Sequence, residues 1–406
     1  MTGMKTEQAA GGVRGPKASY SPAIGYLRAF VVVLVVAHHA VLAYHPFAPP
    51  PPRSLAALPR WWQAFPVSDA HRWSGFSLLV GFNDVFFMSL MFFLSGLFVW
   101  HGLKSKGAAA FLRGRLLRLG VPFLAVAAIV APLAYYPTYL QMHGHTGFGG
   151  FWTQWLALGQ WPAGPAWFVW VLLAFDCIAA LLLLAAPHWG DTLGRGLARL
   201  SSPPIVFFLL LAAISAVLYI PLALIFSPLH WTSVGPFSFQ TSRVLHYLAY
   251  FLLGAGIGVL GIDRGLLATE GKLARRWPLW VAAAAIVFAA LTVATLAVVR
   301  GHANSQRWLA ALDAGFVLSC AASCFAFLAV FLRFARSRSK ILDSLGANSY
   351  GIYLVHYAFV SWLQYALLPA SLPGAVKGAT VFAGALALSW GTSLLLRRAP
   401  AVARIV

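Results

Sequence analysis

The stretch RAFVVVLVVAHH, residues 28–39, decides the fold class of this chain. An apolar run follows Arg28, is interrupted by His38 and His39, and resumes as AVLAY, so the whole segment is long enough to cross a bilayer. Ionisable side chains are costly inside a bilayer and mark functional sites by default. The stretch therefore predicts a transmembrane helix in which an arginine and two histidines have a task.

The composition is that of a membrane protein. Of the 406 residues, 60% are hydrophobic and only 9% are charged, whereas a soluble domain carries about 25% charged residues. The net charge of +20 comes from short basic clusters between apolar runs, and this placement argues against a nucleic-acid-binding surface. Cys177, Cys320 and Cys324 lie inside apolar runs, so we predict neither a disulfide framework nor a metal site.

Hydrophobic windows predict about ten transmembrane spans, all of them helical because a helix satisfies its own backbone hydrogen bonds in lipid. We therefore predict an all-α polytopic membrane protein, and we expect it in the cell (inner) membrane. The predicted spans are residues 24–44, 76–101, 115–136, 166–187, 204–226, 243–260, 279–299, 309–332, 346–368 and 376–396.

Lysine and arginine orient the predicted spans. If the N-terminus is cytoplasmic, most of the 29 basic residues fall in cytoplasmic segments, as the positive-inside rule requires. Both termini are therefore predicted to be cytoplasmic. Residues 1–20 are predicted to form a disordered cytoplasmic tail, and residues 21–400 are predicted to form a single transmembrane domain.

Two predicted outer segments have a composition of their own. Residues 45–75 contain the stiff polyproline stretch PFAPPPPR followed by WWQAF, and residues 137–165 are uncharged and rich in tryptophan and phenylalanine. Such rings are typical of a membrane interface, but they would equally suit stacking on a sugar ring. The sequence leaves both interpretations open.

Helical geometry groups Arg28 with His39. Eleven residues at about 100° each return to within about 20° of the same face, and they rise about 16 Å along the axis. His38 points away from that face. The simpler alternative is that Arg28 lies at the membrane boundary and that the histidines form interhelical hydrogen bonds.

Four further stretches accompany this spacing: FFLSGLFVW (92–100), FLRGRLLRLGVPFL (111–124), GPAWFVWVLLAFD (164–176) and NSYGIYLVHY (348–357). Together with an arginine and a histidine eleven residues apart, they resemble the motifs of the membrane-bound acyltransferase-3 family. The chain is most similar to the branch of glucan succinyltransferases named glucan biosynthesis protein C, and it shows no fused esterase-like domain.

The resemblance implies transfer of an acyl group, acetyl or succinyl, from cytoplasmic acyl-coenzyme A to a hydroxyl of a glycan or lipid-linked envelope acceptor. Acyl-coenzyme A would be a co-substrate, with no tightly bound cofactor. His39 would act as the base on the acceptor hydroxyl or as an acyl carrier, and Arg28 would position the donor. Arg113, Arg115 and Arg118 would bind its phosphates, although ordinary positive-inside charge also explains that cluster.

A catalytic histidine needs an orienting partner, and Asp84 is the acid that we predict beside His39. Asp84 lies about two turns earlier in its span than the acidic residue of the family pattern. His38 and Trp167 are predicted as further cavity residues.

Ser349, Tyr353 and His356 recur at i, i+4 and i+7, so they share one face of the ninth predicted span. Polar groups along one stripe of a membrane helix predict a cavity lining. Interhelical hydrogen bonding is the alternative explanation.

Two other functions compete with acyl transfer. Intramembrane histidines and acids also suit a proton-coupled transporter of a small or lipid-linked substrate, but the sequence shows no related halves of the kind common in transporters. A purely structural subunit would have no reason to align Arg28 with His39. The predicted partners are acyl-coenzyme A, the envelope acceptor and the lipid bilayer, without nucleic acid, and homo-oligomers are compatible with the sequence.

Overall fold

A computed structural model describes residues 21–144, 147–301 and 305–405 as a bundle of helices with one small hairpin. The predicted disordered tail, residues 1–20, lies outside the described residues. The helices are α1 Pro22–Val41, α2 Phe76–Gly96, α3 Val99–His143, α4 Phe148–Ala157, α5 Trp167–Ala185, α6 Trp189–Leu200, α7 Pro204–Phe226, α8 Val244–Leu260, α9 Lys272–Arg275, α10 Trp277–Val299, α11 Gln306–Phe334, α12 Lys340–Ala366, α13 Gly374–Leu396 and α14 Pro400–Ala403; the antiparallel strands are β1 Trp231–Val234 and β2 Phe237–Gln240.

The architecture confirms the prediction of an all-α polytopic membrane protein. Among the described residues, eight helices are long and apolar enough to cross a membrane, or nine if α8 and the sharply bent segment Gly265–Arg275 form one span. The remaining predicted span lies in α12, which has 27 residues but is not among the eight. Buried polar residues such as His356 and Gln364 lower its hydropathy. The predicted number of ten spans therefore exceeds the number of described helices that are apolar enough to cross a membrane.

Glycine lets α2 and α8 touch through their backbones. A Cβ atom on Gly96 would collide with the carbonyl oxygen of Phe251, and one on Gly254 would collide with that of Phe93. Small residues permit such close approach of membrane helices. The glycine in the FFLSG stretch therefore serves helix packing.

The helix α1 lies at the centre of the bundle and contacts α2, α11, α12 and α13. Leu27, Val31 and Val36 on this helix are completely buried. Its last turn carries His38 and His39, after which the chain passes through a short 3₁₀ turn into residues 45–75. The central position of α1 brings both histidines into the interior of the protein.

Residues 45–75 form an ordered cap that folds back on the end of α1. The backbone amides of Asp69 and Trp73 donate to the carbonyls of Ala43 and Tyr44. The carboxylate of Asp69 also pairs with Lys377 of α13 at 2.6 Å, and both side chains are buried. The cap therefore ties the exit of α1 to the last long helix.

The aromatic residues of the two predicted outer segments pack mainly against one another and against Tyr135. Trp62 of the cap is 1% exposed and lies edge-on to Tyr135, with ring centroids 5.2 Å apart. Trp155 of α4 is also buried and stacks on Tyr135. These rings are the core of the cap, whereas Trp61 and Trp152 remain exposed.

Candidate functional site

His39 of α1 and His356 of α12 face each other inside the bundle. The Nδ1 atom of His39 lies 3.3 Å from the Nε2 atom of His356, and the ring centroids are 5.2 Å apart. His356 is completely buried, whereas His39 is only partly buried. Two residues that the sequence assigned to separate motifs thus form one pair.

Two backbone carbonyls decide which ring nitrogens carry protons. Nδ1 of His39 is 2.8 Å from the carbonyl oxygen of Val35, and Nδ1 of His356 is 2.7 Å from that of Tyr353. A carbonyl only accepts hydrogen bonds, so we assign a proton to Nδ1 in both rings. The Nε2 atom of neutral His356 then accepts from Nδ1–H of His39, which it shares with Val35.

This assignment leaves the Nε2 atom of His39 with a free lone pair in the neutral ring. Such a nitrogen can accept a proton from a hydroxyl or attack a thioester carbonyl. The chemistry available to the pair is therefore base or nucleophilic catalysis at a single, defined atom.

Two residues that the sequence reasoning missed complete the surroundings of His39. The side-chain amide of Gln364 is buried and donates to the carbonyls of His39 and Ala40, at 2.9 and 3.1 Å. The ring of Tyr357 lies edge-on to His39 with centroids 5.1 Å apart. Gln364 continues the polar stripe of His356 by about two helical turns, and this spacing was the signal that could have found it.

The other members of that stripe are buried but bonded to backbone. Ser349 donates to the carbonyl of Gly346 at 2.9 Å in its own helix. Tyr353 donates through its hydroxyl to the carbonyl of Pro165, in the turn before α5. Of these two side chains, only Tyr353 bonds across to another element, as the interhelical alternative for the stripe expects.

Asp84 is engaged by an arginine and has no described contact with His39. The guanidinium of Arg243 lies 2.7 Å from the Asp84 carboxylate and also donates to the Asp84 carbonyl at 3.1 Å. Arg243 is 3% exposed and stacks 4.5 Å above the ring of Phe316. The predicted orienting contact from Asp84 is therefore not seen, and Val35 and His356 occupy the Nδ1 atom instead.

His38 lies beside His39, whereas Trp167 has no described contact with either histidine of the pair. The ring of His38 is 5.3 Å from that of His39 and 5.3 Å from that of Phe87 in α2, one turn after Asp84. Trp167 packs on Tyr247 at 5.8 Å and on Trp231 of the hairpin at 5.4 Å. The hairpin thus covers the start of α5.

The predicted donor-binding arginines differ in their surroundings. Arg115 forms an ion pair with Asp176 of α5 at 3.1 Å, and this acid is completely buried. Arg113 and Arg118 are exposed and form no ion pair within the described part of the chain. Arg28 is also exposed on α1. Two of the three clustered arginines are therefore open to an anionic ligand.

A lysine next to this cluster is already partnered. Lys104 lies 3.0 Å from the carboxylate of Asp191 in α6. Its hydrogen bond to that carboxylate lowers the pKa of Asp191, so the acid stays ionised and keeps the lysine in place.

A second histidine cluster, which sequence reasoning did not single out, lies between α2, α8 and α11. Nε2 of His246 in α8 is 3.0 Å from the hydroxyl of Ser89 and 3.7 Å from the thiol of Cys320. All three residues are buried, and Nδ1 of His246 has no hydrogen-bond partner among the described residues. No sequence motif surrounds His246.

Comparison with known proteins assigns a family to almost the whole chain. The family model described as an acyltransferase domain, of the acyltransferase-3 type, matches residues 21–397. No curated protein and no solved structure gave a significant match. The matched region contains every candidate site residue.

Proposed function

Because this chain belongs to the acyltransferase-3 family, we propose that it transfers an acyl group from acyl-coenzyme A to a hydroxyl of an envelope glycan or lipid-linked acceptor. The donor would approach from the cytoplasmic side of the inner membrane. The observation that carries this proposal is the His39–His356 pair, which leaves one basic nitrogen available. Family membership favours acyl transfer over transport.

In the proposed reaction, Nε2 of His39 takes the proton of the acceptor hydroxyl as its oxygen attacks the thioester carbonyl. A carbon–oxygen bond forms, the carbon–sulfur bond breaks, and the leaving thiolate receives the proton from His39. While His39 carries that proton, its Nδ1–H bonds to Val35 and His356 are charge-assisted and therefore stronger. His356 would thus stabilise the cationic form of His39.

The same nitrogen is suited to carry the acyl group covalently. In that route Nε2 attacks the thioester carbonyl, the carbon–sulfur bond breaks and coenzyme A leaves as the thiolate. The acceptor oxygen then attacks the acyl-histidine, the carbon–nitrogen bond breaks, and the freed Nε2 takes the hydroxyl proton, which finally passes to the thiolate. Incubation with acyl-coenzyme A in the absence of acceptor, followed by peptide mass spectrometry, separates the routes. An acyl increment on the peptide that contains His39 supports the carrier route, and its absence supports direct transfer.

The exposed arginines fit the donor end of the reaction. Arg113 and Arg118 present planar guanidinium groups that suit phosphate oxygens, in a segment that the positive-inside rule places in the cytoplasm. Arg28 lies about 16 Å from His39 along the axis of α1. We propose that the pantetheine arm of the donor runs along this path towards His39.

The test uses the full chain in lipid nanodiscs with acyl-coenzyme A and a glycan acceptor. We expect free thiol to be released and the acceptor to gain the acyl mass, and we expect His39→Ala to abolish both signals. His246→Gln is the matched control, because it alters a buried intramembrane histidine outside the site. Equal thiol release by the unmodified protein and by His39→Ala would refute the proposal.

A further inference from the structure

Asp84 is open to its surroundings although it lies within a packed membrane helix. Its side chain is 43% exposed, whereas its neighbours Asn83 and Val85 are buried. Asp176 of α5 and Asp313 of α11 are 0% and 5% exposed, so these two carboxyl groups are closed off. Ionisable side chains in membrane helices almost always face the bundle interior or a water-filled cavity. The space beside Asp84 is therefore a polar recess in the bundle.

The two oxygens of the Asp84 carboxylate have different surroundings. Oδ2 accepts a hydrogen bond from the guanidinium of Arg243 at 2.7 Å, and the same guanidinium donates to the backbone carbonyl of Asp84. Oδ1 has no hydrogen-bond partner among the described residues. Arg243 is buried and lies over the ring of Phe316, so it fixes the direction of the carboxylate. A fixed oxygen that only accepts is suited to bind a hydroxyl donor.

Gly81 extends the open space along α2. A Cβ atom added to Gly81 would meet no other atom within 4 Å. Gly81 and Asp84 are three residues apart, as are Asp84 and Phe87, so each lies next to the following one on the helix surface. The ring of Phe87 is 5.3 Å from that of His38, which is 5.3 Å from that of His39. This face of α2 thus leads towards the reacting histidine.

The recess and His39 lie on the same side of the bundle as the cap. His39 is two residues from the end of α1, and Asp84 is eight residues from the start of α2, about 12 Å along its axis. The cap joins these two helix ends. The side chains of Asp84 and His38 are close enough to interact electrostatically. The arginines proposed to bind the donor follow the opposite end of α2, so a separate approach is left for the acceptor.

We propose that Oδ1 of Asp84 binds a hydroxyl of the acceptor, and that the open face of α2 at Gly81 and Asp84, which we call the acceptor recess, selects neutral, hydroxyl-rich acceptors. This inference rests on the proposed function. A sugar ring carries several hydroxyl groups, so one can bond to Asp84 while another is presented to His39. A phosphate or carboxylate on the acceptor would be repelled by the Asp84 carboxylate.

The test measures kcat and the KM values for acyl-coenzyme A and for the acceptor, with the full chain in lipid nanodiscs. The acceptors are a neutral glucose oligomer and the same oligomer carrying one phosphate. We expect the unmodified protein to prefer the neutral oligomer by at least about tenfold in kcat/KM, because like charges repel across the recess.

Asp84→Asn keeps the shape of the side chain but removes its charge. Its carbonyl oxygen must face Arg243, so the NH₂ group turns towards the recess. We expect KM for the neutral oligomer to rise about tenfold, because a neutral hydrogen bond replaces a charge-assisted one, and the preference over the phosphorylated oligomer to disappear. The KM for acyl-coenzyme A should not change. Asp313→Asn is the control, since that carboxyl is closed off, and it should keep both KM values within about twofold.

Gly81→Leu fills the acceptor recess without touching Asp84. Leucine forms helices more readily than glycine, and the space beside Gly81 is open, so this variant should fold. We expect KM for the neutral oligomer to rise at least about tenfold, with an unchanged KM for acyl-coenzyme A. Gly391→Leu makes the same change at a glycine of α13 that also has open space beside it, and it should leave both KM values unchanged.

Three results would overturn the acceptor recess while the proposed function stands. The first is an unchanged acceptor KM in either Asp84→Asn or Gly81→Leu, and the second is equal use of the two oligomers by the unmodified protein. The third is a fall in kcat at constant KM in Asp84→Asn, which would give Asp84 a purely structural role. If Asp84→Asn fails to fold, Gly81→Leu decides. If the unmodified protein consumes no thioester, the proposed function itself is wrong and the acceptor recess falls with it.

Discussion

Two histidine clusters lie inside the helix bundle, and they differ in how their rings are held. In the first, backbone carbonyls fix the Nδ1 atoms of His39 and His356. In the second, His246 contacts a serine hydroxyl and a cysteine thiol, and its Nδ1 lacks a partner among the described residues. His39 is partly exposed, whereas His246 is completely buried.

This difference shows what makes an intramembrane histidine useful. A carbonyl accepts but never donates, so it selects one tautomer and one ring orientation and leaves a known atom free for chemistry. A hydroxyl can donate or accept by rotating, so Ser89 selects neither tautomer of His246. We therefore expect catalysis at the first cluster and a packing role at the second.

The largest difference between the two clusters should appear when each histidine is replaced in turn. General base catalysis contributes about 10²- to 10⁴-fold, so His39→Gln should lower kcat by about that amount. His246→Gln should keep the rate within about threefold, because it touches no reacting atom. Thiol release under matched protein loading measures both, and a comparable loss in the two variants would refute the distinction.

Replacement of His356, the partner of His39, should have the second-largest effect on kcat. His356→Ala removes the acceptor of the Nδ1–H of His39, and we expect kcat to fall about 100-fold through misplacement of the ring. The KM for acyl-coenzyme A should stay constant, because in the proposed reaction His356 contacts His39 and not the donor. His356→Gln offers a carbonyl oxygen in place of Nε2 and should recover part of the rate. A variant with unchanged kcat and reduced melting temperature would show a purely structural role.

Replacement of Gln364 should have a smaller effect on kcat, through the position of the His39 ring. Gln364→Leu keeps the volume but removes both hydrogen bonds to the last carbonyls of α1, so the end of α1 loosens around His39. We expect about a tenfold loss in kcat without a change in KM. Ser361→Ala is the control, since Ser361 bonds only carbonyls of its own helix. Equal effects of the two changes would exclude a positioning role for Gln364.

The smallest effect should come from the thiol in the second cluster. Cys320→Ala removes the sulfur that contacts His246, and we expect the rate of acyl transfer to change by less than about twofold. A strong loss of activity in Cys320→Ala would show that the His246 cluster takes part in the reaction.

Much of the site could be predicted because its residues lie in short stretches of sequence. The spacing of Arg28 and His39 and the stripe of Ser349, Tyr353 and His356 both followed from helical periodicity. The contact between His39 and His356 spans 317 positions, and no local pattern determines it. It follows from the packing of α1 against α12.

Two predicted site residues, Asp84 and Arg115, form ion pairs that the sequence did not indicate. Asp84 was expected beside His39, but its carboxylate accepts a hydrogen bond from Arg243, which lies 159 positions later, at the start of α8. Arg115 is predicted to bind the donor, and its Nε atom pairs with the buried carboxylate of Asp176. A sequence shows which side chains are ionisable, but the choice among several opposite charges depends on how helices are arranged in space.

The buried pair of Asp69 and Lys377 has a consequence for biosynthesis. Asp69 emerges from the ribosome early and has only the neighbouring His71 as a partner, whereas Lys377 belongs to the last long helix, so the carboxylate lacks its lysine until α13 has entered the membrane. Burying an unpaired carboxylate costs several kcal/mol. The cap should thus reach its final packing against the end of α1 only after translation has passed α13.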